Sequence, residues 1–327
     1  MHILKGYTKQ EISWMMYDWA NSAHSVIIVT LLPIFFDTVA GYTADSVSSM
    51  STWGYATSIA MLIVALAAPF LGVFGDIRGM RKKLFSFFML LGVAACAGMA
   101  FTPGMDFTSG PVAAGKVASL ILVLYIVSVI GFDASAIYYD AFLTDVTIED
   151  RMDKVSTMGY GLGYIGGSTI PLLIFLIMNL VGVPMLTCLA FVFGLTAVWW
   201  LAFSLPLLKN CEQTSGKPYE KGDVARSIKG VGTTIKEIIA NKPMLIYILS
   251  YFFYIDGVHT VISMATTYGT NLGLDSTGMM LALLLVQILG LPFCLFYIKC
   301  SEKFGARTMV GFGICVYMFI CIFAFFM

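Results

Sequence analysis

Nine apolar runs, each long enough for a membrane-spanning helix, leave this chain few ways to fold. They lie at approximately 14 to 40, 51 to 75, 83 to 102, 116 to 144, 157 to 182, 184 to 207, 243 to 270, 275 to 299 and 307 to 327. About 20 apolar residues carry a helix across the hydrocarbon core, whereas a membrane barrel shows alternating strands of about ten. Continuous runs of this length predict an all-α integral membrane protein, a bundle in which each span satisfies its own backbone polar groups. Charged residues make up 12% of the chain, against about 25% in a soluble domain.

Those charges are placed rather than scattered. With the N-terminus in the cytoplasm, eighteen of the nineteen Lys and Arg residues fall on the cytoplasmic side and Lys116 alone falls opposite. One missed or added span would mix the two sides, so the basic residues predict orientation and parity together. The expected location is a multi-pass membrane protein, in the cytoplasmic membrane if the chain is bacterial, with the lipid bilayer as a partner and no nucleic acid. The N-terminal MHILKGYTKQEIS is too polar for a signal-peptide core, so the first run is expected to remain as a helix. The seven cysteines form no C-x-x-C pair or Cys/His cluster and read as small packing residues, with no metal or cofactor implied.

A polar segment divides the chain into 1–208, a six-helix bundle; 209–242, a cytoplasmic linker rich in Gly, Ser and Pro; and 243–327, the first three helices of a second bundle. The linker's second half sets Ile228, Ile235, Ile238 and Ile239 against Arg226, Lys229 and Lys236. That spacing suits an amphipathic helix on the inner leaflet, or a helix in a solvated loop; both readings stand.

Two features repeat between the halves. Asp76, Gly79 and Arg81 after the second span are matched by Glu302, Gly305 and Arg307 after the eighth: an acid, a glycine three residues on, an arginine five residues on. In the first span Asp18, Asn21, Ser22 and Ser25 are matched in the seventh by Asp256, His259, Thr260 and Ser263, with Tyr17 and Tyr254 just before. Offsets of three, four and seven share one face of a helix, so each span carries a polar stripe turned from lipid. Parallel halves six spans apart, joined by a linker, are the plan of the major facilitators.

The loop from Gly72 to Lys83 resembles that superfamily's signature, departing from it at Met80. More narrowly, YDWANSAHSVIIVTLLPIFF (17 to 36), YYDAFLTDVTIEDRMDKVSTMGYGLGYIGG (138 to 167) and YIDGVHTVISMATTYG (254 to 269) resemble its vacuole-effluxer-like branch. The branch includes a fungal autophagy-related protein implicated in releasing amino acids from the vacuole, and bacterial members of undefined substrate. The resemblance implies the major-facilitator fold, with helices ten to twelve expected in a longer reading frame, and a cavity lined by the first, fourth and seventh helices.

Asp18, Asp133, Asp140 and Asp256 fall on those helices, inside the membrane. A carboxylate at the bilayer centre costs about 2.5–3.5 kcal/mol on insertion scales, so it faces a cavity or a partner. Asn21, Ser22, Ser25, Asp133, Tyr139, Asp140, Tyr254, Asp256, His259 and Thr260 are the expected lining of a solute or ion route, with Asp256 near His259 suited to proton coupling. Asp18, Asp76, Arg81, Glu302 and Arg307 are expected as gate or inter-bundle contacts. The competing reading is that the acids pair across helices and only lock the bundle. His24 points to another face and reads as a packed or interfacial histidine.

Gly161-Leu-Gly163-Tyr-Ile-Gly166 fits G-x-G-x-x-G but lacks the preceding strand of a dinucleotide site. Gly159, Gly163 and Gly167 read instead as a ridge for close helix approach. The charged stretch from Asp145 to Lys154 reads as a solvated loop, with ion pairing that closes the cytoplasmic mouth as the alternative. No G-x-x-x-x-G-K-[ST], H-E-x-x-H or G-x-S-x-G is present, so the chain is not expected to be an ATPase or another enzyme. The expected function is a secondary carrier exporting a small, amino-acid-like polar solute by alternating access, with a proton or other ion as coupling partner. The alternative is a transport-inactive receptor on a carrier scaffold.

Overall fold

The apolar runs form helices here, several of them carrying a proline inside (Pro33, Pro69, Pro206 and Pro292), in a computed structural model that describes residues 4–43, 46–218, 223–271 and 276–326. In chain order these are α1 (Lys9–Ala40), α2 (Ser46–Gly75), α3 (Arg81–Met99), α4 (Pro111–Val146), α5 (Glu149–Leu180), α6 (Met185–Asn210), α7 (Asp223–Ala240), α8 (Lys242–Asn271), α9 (Ser276–Phe304) and α10 (Ala306–Phe325). Among the described residues, eight helices are long and apolar enough to cross a membrane. A pair bent by 97°, Gly230–Ala240 with Lys242–Val258, brings the number to as many as nine.

The helices overrun the apolar runs at their polar ends. Hydropathy marks the part of a helix that lipid covers, while the helix stops where its backbone is capped. α1 begins at Lys9 because Thr8 and Glu11 form a capping box, each side chain bonded to the other's backbone N–H. The stretch from Asp145 to Lys154, expected as a loop, is a turn at Thr147 and Ile148 between α4 and α5. Two of its charges, Asp145 and Arg151, are used in ion pairs inside the first unit, described below.

The chain forms two compact units, Met1–Lys221 and Gly222–Met327. In the first, α1 is the hub, packed on α4, α5 and α6, and α3 lies against α4 and α6. The position explains why α1 buries Trp14, Tyr17, Ile27, Leu31 and Phe35 around most of its circumference. Glycine sets the closest approaches. A Cβ on Gly131 would lie 2.5 Å from the Gly92 nitrogen, so α3 and α4 touch backbone to backbone. The ridge on α5 meets α1: a Cβ on Gly163 would lie 2.5 Å from Ser22 Oγ, and one on Gly167 would lie 2.5 Å from the Trp19 carbonyl. At this contact α5 widens into a π turn over Gly163–Ser168, and Thr169 Oγ1 bonds the Tyr164 carbonyl at 2.7 Å.

In the second unit α7 packs on α8, and α8, α9 and α10 pack on one another. The repeated loops share their backbone conformation. Gly79 has φ +81° and Gly305 has φ +82°, a left-handed geometry that glycine adopts without Cβ strain.

Candidate functional site

The polar stripe of α1 is built into the bundle rather than left open. Asp18 is 9% exposed and accepts a hydrogen bond from the Tyr139 hydroxyl on α4 at 2.7 Å. The Tyr139 ring stacks on Trp14 with centroids 4.3 Å apart, and Trp14 Nε1 donates to the Tyr139 carbonyl at 2.9 Å. One turn on, the Tyr17 hydroxyl bonds Ser135 Oγ at 2.8 Å and accepts from Trp200 Nε1 at 3.4 Å. Asn21 is buried, and Ser22 lies against the α5 glycines, its carbonyl accepting from Ser25 and Ser168. Within the first unit, Asp18, Asn21, Ser22 and Tyr139 therefore form a polar seam joining α1, α4 and α5.

His24 is 3% exposed, stacked on Phe132 and tilted against Trp200, and neither ring nitrogen has a hydrogen-bond partner. Of the two readings, packed or interfacial, the packed one describes its place between α4 and α6. The other acids are placed differently. Asp133 is half-buried and its Oδ2 has no partner, while Asp140, seven residues on, is exposed. In the second unit Asp256 is exposed and Tyr254 is half-buried. The side chains of His259 and Thr260 lie outside the described residues.

At the α1 N-terminal end, two ion pairs hold the first unit. Glu11, 1% exposed, accepts from Arg151 Nε and Nη2 at 2.9 Å each and from Thr147 Oγ1 at 2.7 Å. Arg151 also donates to the Gly6 carbonyl at 3.0 Å, so α5 is clamped to the start of α1. The second pair is Arg81 with Asp145, where Arg81 also reaches the Ala141 carbonyl at 3.0 Å. Asp76 is exposed and stands 4.0 Å from Arg81. Arg81 is thus an internal staple between α3 and α4. Glu302 and Arg307 are exposed on the second unit.

Sequence reasoning missed the strap that follows α6. Asp145 accepts from both the amide and the hydroxyl of Thr214 and Ser215, at 2.8–3.1 Å. Gln213 bonds the Gly75 carbonyl at 2.9 Å and the Gly79 amide at 2.8 Å, and Lys217 exchanges backbone bonds with Asp76 and Arg78. At the start of this strap the Cys211 thiol bonds the Gln10 carbonyl at 3.6 Å, and burial pushes it up to about 12. The pairing of Glu11 with Arg151 was also missed; the sequence signal for half of it was T-x-x-E before an apolar run.

Comparison with known proteins completes the picture. A family model described as "Vacuole effluxer Atg22 like" matches residues 39–150 and 144–327. The chain is 39% identical over 333 residues to the uncharacterized MFS-type transporter YxiO of Bacillus subtilis, covering 99% of this chain and 75% of that protein. It is 24% identical over 188 residues to autophagy-related protein 22-1 of Penicillium rubens, covering 54% of this chain and 32% of that one. Among solved structures, a D-xylose-proton symporter matches with TM-score 0.53 at 14% identity, over 90% of this chain and 69% of that chain. The xylose transporter XylE of E. coli, in a partially occluded inward-open form, matches with TM-score 0.51 at 13% identity, over 91% and 73%. These two show the major-facilitator fold, and with the full-length match the chain is a multi-pass membrane protein of the major-facilitator transporter type that belongs to the vacuole effluxer Atg22-like family.

Proposed function

We propose that the chain works as a secondary carrier that exports a small polar solute of the amino-acid class by alternating access. The observation that carries this reading is Asp256, an exposed carboxylate on α8 (Lys242–Asn271). Counted from Lys242 it stands about 21 Å along the helix at 1.5 Å per residue, close to its midpoint. Lipid would charge such a group about 2.5–3.5 kcal/mol, so a water-lined route is the environment that suits it. Asp140, exposed on α4, and Asp133, with an unpartnered oxygen, are the matching groups in the first unit. The class of solute and the outward direction rest on the family's description as effluxers and on its fungal members.

In this reading Asp133, Asp140, Tyr254, Asp256, His259 and Thr260 contact solute or a coupling proton. The seam of Asp18, Asn21, Ser22 and Tyr139 holds α1 against α4 and α5 while the route changes access, and Ser25 bonds the Ser22 carbonyl within α1. The N-terminus and the basic loops face the cytoplasm. Counterflow of radiolabelled amino acids in proteoliposomes tests it, run on this chain and on a fusion carrying the remaining quarter of the Bacillus subtilis relative. Exchange that depends on Asp256 and is abolished by Asp256→Asn is expected. Exchange unchanged by Asp256→Asn, or no exchange of any amino acid, sinks the reading.

A further inference from the structure

α7 is an 18-residue helix that no transport step uses. In the sequence Val224, Ile228, Val231, Ile235, Ile238 and Ile239 recur every three or four residues, the spacing of one helix face. Of these, Ile235 is 47% exposed and Ile239 is 59% exposed, with Lys236 and Glu237 exposed beside them. A helix wetted on all sides gains nothing by gathering isoleucines on one face.

The turn into the next helix says where that face goes. At Asn241 the chain bends by 97° between Gly230–Ala240 and Lys242–Val258. The second limb starts an apolar helix that carries Met244, Ile246, Ile248 and Leu249. If that limb enters the bilayer near its normal, the first limb lies close to the membrane plane, at the depth where α8 enters. An isoleucine face meets acyl chains there, and the polar face meets headgroups and water.

Charge selects the headgroup. From Lys217 to Lys242 the sequence has six basic residues, Lys217, Lys221, Arg226, Lys229, Lys236 and Lys242, against three acidic ones, Glu220, Asp223 and Glu237. A net positive segment beside a membrane entry point is drawn to anionic lipid. We propose that α7 is a membrane-surface anchor that lies along the bilayer, buries its isoleucine face among the acyl chains and binds anionic headgroups. The proposal does not depend on the solute, the direction or the coupling of transport.

The test uses the full chain in liposomes, with an environment-sensitive fluorescent amino acid at position 239, 235 or 233. Thr233 is exposed and lies roughly opposite Ile235 on the helical wheel. With brominated lipid in vesicles of phosphatidylcholine and phosphatidylglycerol, quenching at 239 is expected to exceed that at 233 by about threefold, and iodide in the buffer to reverse the order. Replacing the phosphatidylglycerol with phosphatidylcholine is expected to cut lipid quenching at 239 by about half. The label at 235 repeats the measurement at an independent position. Equal iodide quenching at 233 and 239 would show a solvated helix, and protection of 239 from both quenchers would show a protein-covered face; either overturns the proposal. Lipid quenching that does not change with phosphatidylglycerol overturns the anionic preference.

Discussion

Arg151→Ala should be the most informative single change in the first unit. It removes the guanidinium that donates twice to Glu11, once to each carboxylate oxygen, at 2.9 Å. The Glu11 side chain is 2% exposed and that of Arg151 is 34% exposed. Breaking a buried pair costs about 3–5 kcal/mol, and a surface pair is worth about 0–1 kcal/mol. Water can reach the partly exposed site that the guanidinium leaves, and Thr8 and Thr147 still donate to Glu11. The expected loss therefore lies between the two cases, at about 2 kcal/mol, or roughly 30-fold in the unfolding equilibrium. Reversible unfolding in mixed detergent and dodecyl sulfate micelles, followed by far-ultraviolet circular dichroism, measures it. Adding Glu11→Ala and the double variant completes a cycle that isolates the pair. A coupling below about 0.5 kcal/mol would refute the clamp and make the contact an ordinary surface ion pair.

Three further expectations follow from close contacts. Gly131→Ala drives a methyl into the backbone of Gly92, so it should destabilise the protein by about 1–3 kcal/mol in the same unfolding assay. Gly216 has φ +114° and a Cβ there would lie 2.7 Å from the Asp76 carbonyl, so Gly216→Ala should release the strap and speed hydrogen exchange at the Arg78 and Lys217 amides. Cys211, raised from 9.0 to about 12 by burial, holds little thiolate below that pH, so its alkylation should stay slow at pH 8 and accelerate only as pH approaches 12 or the protein unfolds.

The spans were legible because length and hydropathy are local and strong. So was the repeated loop, since an acid, glycine and arginine at fixed offsets report a turn that Gly79 and Gly305 then adopt with nearly equal φ. Partners were not legible. Arg151 and Glu11 stand 140 residues apart, Tyr139 and Asp18 are 121 apart, and Asp145 and the strap are about 70 apart. A single sequence says that an intramembrane acid needs company but not which helix supplies it. Asp18 shows the consequence: its stripe packs on α4 and α5, partners that the stripe's own spacing does not name. Asp133 and Asp140 share a helical face by spacing but differ in exposure, because burial depends on how neighbouring helices cover each level of the bundle.

The tryptophans packed around α1 also decide what the protein's own light emission reports. All five tryptophans, Trp14, Trp19, Trp53, Trp199 and Trp200, belong to the first unit, and the second has none. Four of them sit on α1 and α6, where Trp19 and Trp199 stack at 6.4 Å and Trp200 packs on His24. Intrinsic tryptophan fluorescence is therefore a built-in probe of the first unit alone. A solute that disturbs the α1–α4–α6 contacts will change the emission directly. One that touches only α8, α9 or α10 will stay dark unless the first unit responds to it.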